Sequence, residues 1–100
     1  MDNKITMVKG DYGIIQNLNI INGTPSIEDS FLVTIKDVNK VIMVSKKYSN
    51  VTDHIPFSLT EEESNKLKAK TYYYTVDWYR DNVFLKNLVN GERFIVKKKV

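Results

Sequence analysis

Between Tyr72 and Tyr79 the chain reads Tyr-Tyr-Tyr-Thr-Val-Asp-Trp-Tyr. A strand sends successive side chains to opposite faces, so this run places Tyr72, Tyr74, Val76 and Trp78 on one face and Tyr73, Thr75, Asp77 and Tyr79 on the other. The first set is too large and apolar to remain in water, and it is expected to floor a core. An aromatic strand of this kind needs a second layer to cover it.

The rest of the sequence supplies short strands and almost no helix. Ile5 to Lys9 reads as a first strand, closed by Gly10-Asp11. Tyr12 to Ile20 reads as a second, with Tyr12, Ile14, Leu18 and Ile20 on one face and Gln16 among them. Asn22-Gly23-Thr24-Pro25 ends it. Ser30 to Lys36 directs Phe31, Val33 and Ile35 to one side, and a turn follows at Asp37 to Lys40. Val41-Ile42-Met43-Val44 is apolar on both faces, either a covered strand or an edge that meets a partner. Lys46 to Asn50 reads as a polar connection. Val51 to Phe57 reads as a strand that Pro56 assigns to a sheet edge.

The pattern changes at Thr60. Thr60 with Glu63 three residues on forms a capping box, and Glu61, Glu62 and Glu63 suit the positive end of a helix dipole. The spacing predicts a helix of two to three turns through Lys70, anchored by Leu59 and Leu67. A tyrosine early in the following strand is placed to bond backbone just upstream as a tyrosine corner, with Tyr72 and Tyr74 both candidates. After Arg80-Asp81-Asn82, Val83 to Val89 forms a strand. Asn90-Gly91 is a hairpin signal before a last strand, Glu92 to Val100, in which Phe94, Val96 and Val100 face inward. The expectation is a single all-β domain over residues 1–100, an immunoglobulin-like β-sandwich of seven to eight strands with one short crossover helix near 60–70.

Composition narrows function mainly by exclusion. With no cysteine there is neither a disulfide framework nor a thiolate metal site. The net charge of +3 lies largely in Lys97, Lys98 and Lys99, with acidic residues interspersed elsewhere, so no basic face for nucleic acid is expected. The amino terminus lacks the apolar run of a signal peptide and no stretch is long enough for a membrane span, which leads to the expectation of synthesis in the cytoplasm. His54 beside Asp53 lacks the nucleophile and further ligands that catalysis or metal binding requires, and Glu61-Glu62-Glu63 is accounted for by capping. No catalytic residue, cofactor or metal site is expected, and the chain is not read as an enzyme. Tyr73 and Tyr79 either mark an interface or sugar platform, or pack beneath neighbouring loops.

An ordered series of short motifs carries one further reading. Lys9-Gly10-Asp11 opens it, followed by Gly23 and Pro25, Asp29 and then Phe31-Leu32-Val33-Thr34-Ile35-Lys36. Ile55-Pro56-Phe57-Ser58-Leu59-Thr60, Leu67, Tyr72 to Val76 and Gly91-Glu92-Arg93-Phe94-Ile95-Val96 complete it. From Ile5 to Val96 this layout resembles the N-terminal immunoglobulin-like domain of phage baseplate upper proteins and related small phage β-sandwich domains. It departs from them at Lys70, where such domains often carry Gly. The resemblance implies a non-catalytic virion component, made in the host cytoplasm, that docks in many copies onto other phage tail or baseplate proteins or onto its own copies. The contact surfaces expected on that reading are Val41, Ile42, Met43 and Val44, with Tyr73 and Tyr79. A capsid decoration domain would have the same physics. The alternative from a different class is a carbohydrate-binding module for host cell-wall glycan.

Overall fold

The computed structural model describes residues 4–20 and 23–99. Seven strands and one helix follow in the order β1 (Ile5–Val8), β2 (Gln16–Asn19), β3 (Asp29–Lys36), β4 (Ile42–Ser49), β5 (His54–Phe57), α1 (Glu61–Asn65), β6 (Thr71–Arg80) and β7 (Val83–Lys97). One sheet has the order β1-β7-β6-β3-β4, and β2 and β5 form the other. β1 runs parallel to β7, with Ile5 opposite Phe94, and the remaining pairs are antiparallel. The three central strands β3, β6 and β7, extended by β4 and faced by the β2–β5 pair, follow the order of an immunoglobulin-like sandwich.

The aromatic strand behaves as its periodicity dictates. Tyr72, Tyr74, Val76 and Trp78 are all buried, and they meet Phe31, Val33 and Ile35 of β3 and Phe94 and Val96 of β7 in one core. The second sheet closes over them through Ile55 and Phe57, and the Phe57 ring meets Phe94 edge-on with centroids 6.1 Å apart. Tyr74 meets Phe94 in the same manner at 6.3 Å.

The crossover holds the two sheets in register. The Thr60 hydroxyl accepts from the Glu63 N–H at 3.1 Å, and the Glu63 carboxylate accepts from the Thr60 N–H at 2.8 Å, closing the capping box. Lys46 reaches across from β4 to Glu63 at 3.0 Å and to the Ser58 carbonyl, fastening the sheet edge to the crossover. Burial acts to raise the Glu63 carboxyl, but the Thr60 N–H and Lys46 outweigh it and the net direction is down. The corner tyrosine is Tyr72, whose hydroxyl accepts from the Lys68 N–H at 2.8 Å.

Several local expectations are corrected. The helix ends at Asn65 instead of Lys70, because Leu67 turns into the core and its N–H bonds to the Ser64 carbonyl. Leu59 and Leu67 therefore anchor the crossover from either side of the helix, and both are buried. Lys46 to Ser49 continue β4 instead of forming a connection, since an edge strand with one face in water accommodates alternate polar residues. Residues 12–15 are not strand: Gly10 and Gly13 take positive φ, and Tyr12, Ile14 and Ile15 stand exposed. At the other end of that connection only His54 to Phe57 of the predicted 51–57 strand pairs, although Val51 is buried.

Asn90-Gly91 makes no hairpin. Asn90 lies opposite Thr75 and Glu92 opposite Tyr74, so Gly91, at φ 70°, is the extra residue of a β-bulge within one continuous strand. Seven strands rather than eight result. Lys70, where a different turn was expected, stays outside the left-handed region, and its carbonyl accepts from the Val96 N–H at 2.9 Å. The expected turn residue Asn22 and the inward placing of Val100 lie outside the described residues.

Candidate contact surface

Pairing fixes which side chains share the outer face of the five-stranded sheet, because residues opposite one another point the same way. Near one end, Ile42 of β4, Lys36 of β3, Tyr73 of β6 and Arg93 of β7 form a row across the strands. Near the other, Ser49, Ser30, Tyr79 and Phe84 form the equivalent row. Tyr79 lies six steps along the strand from Tyr73, about 20 Å at the rise of an extended chain.

The six residues proposed from sequence thus do not form one site. Val41 and Ile42 are exposed at the β3–β4 hairpin, where Val38 is exposed too, and Tyr73 lies on the same outer face across Lys36. Met43 is half-buried against the core. Val44 is 4% exposed and packs within the core, so it is removed from any contact surface. The segment looked apolar on both faces because a bulge opposite Ile35 and Lys36 lets Ile42 face outward while Val44 faces inward. Tyr79 is half-buried at the far end, its ring edge-on to Phe84 with centroids 5.9 Å apart.

A second exposed apolar group went unrecognised in the sequence. Val83, Phe84 and Leu85 follow the two-residue turn at Asp81-Asn82, and all three are exposed. Three consecutive apolar residues after a tight turn are the available signal, since simple alternation would bury at least one of them. Here the strand bulges three times, near Leu85, Leu88 and Gly91, and the alternation is lost. The bulges also interrupt the stretch of β7 that lies beyond its pairing with β1, which makes that edge a poor template for another strand.

Behind the Tyr79 end lies an ion pair between a buried carboxylate and a half-exposed guanidinium. Asp29, its side chain 0% exposed, accepts two bonds from Arg80, at 2.8 and 3.1 Å, and a third from the Ser26 N–H at 2.8 Å. The Arg80 guanidinium holds the Asp29 carboxyl well below the usual carboxylate range against the opposing effect of burial, with smaller help from the Ser26 N–H. Asp29 in turn raises the Arg80 pKa. The Trp78 ring carries Lys86 above it at 4.8 Å, and Gly23 presses against its edge.

His54 pairs with its neighbour Asp53. Its Nδ1 lies 2.7 Å from Asp53, and this hydrogen bond lowers the Asp53 pKa. The nearby Thr52 hydroxyl bonds to Asp53 and not to the imidazole, the reverse of what an activated nucleophile requires. Among the described residues no group of three His, Asp or Glu side chains could hold a metal ion, and no helix is long and apolar enough to cross a membrane. Comparison of the chain with protein-family models, with curated proteins and with solved structures finds no match.

Proposed function

We propose that this domain is a phage or prophage virion component, associated with the tail or baseplate, that works by binding other virion proteins without catalysis. The observation that carries the contact reading is the apolar surface at the two hairpins of the five-stranded sheet: Val38, Val41 and Ile42 at one, Val83, Phe84 and Leu85 at the other. These side chains remain outside the core of the described residues, and exposed apolar groups of this kind suit a protein contact. The ordered resemblance in the sequence supplies the virion setting, and with it assembly in many copies and a place in the particle after synthesis in the host cytoplasm.

Mixing the domain with candidate tail and baseplate proteins and following assembly by light scattering tests this. Ile42→Asp and Phe84→Asp are expected to leave folding intact, since both side chains are exposed, and at least one of them should abolish co-assembly. A domain that stays monomeric with every candidate, or assembly indifferent to both substitutions, would overturn the proposal.

A further inference from the structure

On the outer face at the Tyr79 end, a recess of about 210 Å3 is lined by Ser30, Leu32, Lys47, Tyr79 and Asn82. Its volume falls below the roughly 300–1,000 Å3 of a pocket for a drug-sized ligand, so it takes a single ring and not an extended molecule. Four of the five residues lie on paired strands: Ser30 is opposite Tyr79, and Leu32 is opposite Lys47. Asn82 is set by a two-residue turn in which Asp81 and Asn82 both take left-handed φ, 51° and 62°. The recess is therefore built on rigid backbone before any ligand arrives.

One group beneath its lining, sealed from solvent, lacks a partner. The Ser30 side-chain oxygen is buried and makes no hydrogen bond, on a residue only 6% exposed. Buried hydroxyls are rarely left so, because the lost bonds to water are not replaced. Around it, Lys47 Nζ donates to Asn82 Oδ1 at 3.2 Å, which leaves the Asn82 NH2 and the other ammonium hydrogens as donors. Tyr79 contributes an aromatic surface steadied by Phe84, and Leu32 an apolar floor.

We propose that this recess binds one pyranose ring of a glycan. A sugar presents several hydroxyl oxygens on a ring of fixed geometry, and these can accept from the remaining Asn82 NH2 and Lys47 ammonium hydrogens that line the recess. Its C–H face suits the electron-rich face of a tyrosine. A simple anion fits less well: Asp77 lies opposite Leu32, and Asp81 is in the turn beside Asn82, so the surroundings carry negative charge that offsets Lys47. The site goes beyond the protein-binding reading and does not depend on it.

The experiment is an NMR titration of the 15N-labelled domain with free glucose, galactose, rhamnose and N-acetylglucosamine, and separately with acetate. At least one sugar is expected to shift the amides of Ser30, Leu32, Lys47, Tyr79 and Asn82 saturably, with the millimolar dissociation constant of a ligand of about a dozen heavy atoms. Asn82→Gly suits the left-handed turn and should keep the fold while weakening that sugar about tenfold, the loss of one good hydrogen bond. Tyr79→Leu, checked for an unchanged amide spectrum elsewhere, should abolish binding. The proposal is overturned if no sugar shifts these amides at tens of millimolar, if the shifts map elsewhere, if Asn82→Gly binds as well as the parent, or if acetate alone occupies the recess.

Discussion

Replacing Tyr72 with Phe isolates a single hydrogen bond in the fold. The Tyr72 ring is 0% exposed, its hydroxyl accepts from the Lys68 N–H at 2.8 Å, and Lys70 lies over the ring 5.2 Å from its centre. Phenylalanine keeps the ring, its packing and the cation contact, and removes only the acceptor. The Lys68 N–H is then left in a partly buried turn without its partner, which costs about 1–3 kcal/mol. For a domain of this size that corresponds to a fall in Tm of roughly 4–8 °C per kcal/mol. Urea unfolding followed by Trp78 fluorescence measures it, and an unchanged slope would show that the denatured state is the same. Tyr73→Phe, on the opposite and exposed face, is the control and should stay within about 0.5 kcal/mol of the parent. If Tyr72→Phe proves as mild as that control, the corner does not fix the crossover and the account of how α1 is tied to β6 fails.

Three further perturbations probe other parts of the molecule. Arg80→Met leaves the Asp29 carboxylate buried without its guanidinium partner and is expected to destabilise the fold at pH 7. Since the Asp29 pKa is depressed in the folded protein, the pair stabilises the fold above the ordinary aspartate value near 4, and that contribution is lost as pH falls below it. The gap between variant and parent should therefore narrow in acid, and a gap independent of pH would contradict the assignment. Gly23→Ala puts a methyl 2.9 Å from the Trp78 ring at a φ of 137°, and should destabilise by about 2 kcal/mol with a shift in tryptophan emission; unchanged emission would mean the contact is not made. Thr60→Ala removes the helix cap and should cost about 1 kcal/mol by urea unfolding, with a value near zero showing that Leu59 and Leu67 hold the crossover unaided.

The parts of the fold that follow from local rules were legible in the sequence. Alternation placed Phe31, Val33 and Ile35, and then Tyr72 to Trp78, on inward faces, because a pleated strand has a fixed period of two whatever its neighbours are. The capping box was legible because its two bonds join residues three apart. Asn90-Gly91 shows where such rules stop: the dipeptide permits a positive φ, and whether that φ serves a hairpin or a bulge depends on the strand alongside. With β6 paired to β7 on both sides of this dipeptide, from Val83 to Ile95, the bulge was the outcome.

The candidate surface was less legible for the same reason. Tyr73 and Tyr79 were correctly set on the face opposite Trp78, yet the sequence could not show that Ile42 would share Tyr73's row while Phe84 shared Tyr79's. The Asp29–Arg80 pair spans 51 residues and has no sequence signal, and the unpartnered Ser30 hydroxyl exists only because β4 and β6 enclose it. Side-chain period and chain-local hydrogen bonds thus determined an all-β sandwich with an aromatic floor and a capped crossover. Register, bulges and the grouping of exposed residues were decided in the tertiary structure, because each depends on which residue of a distant strand comes to lie opposite.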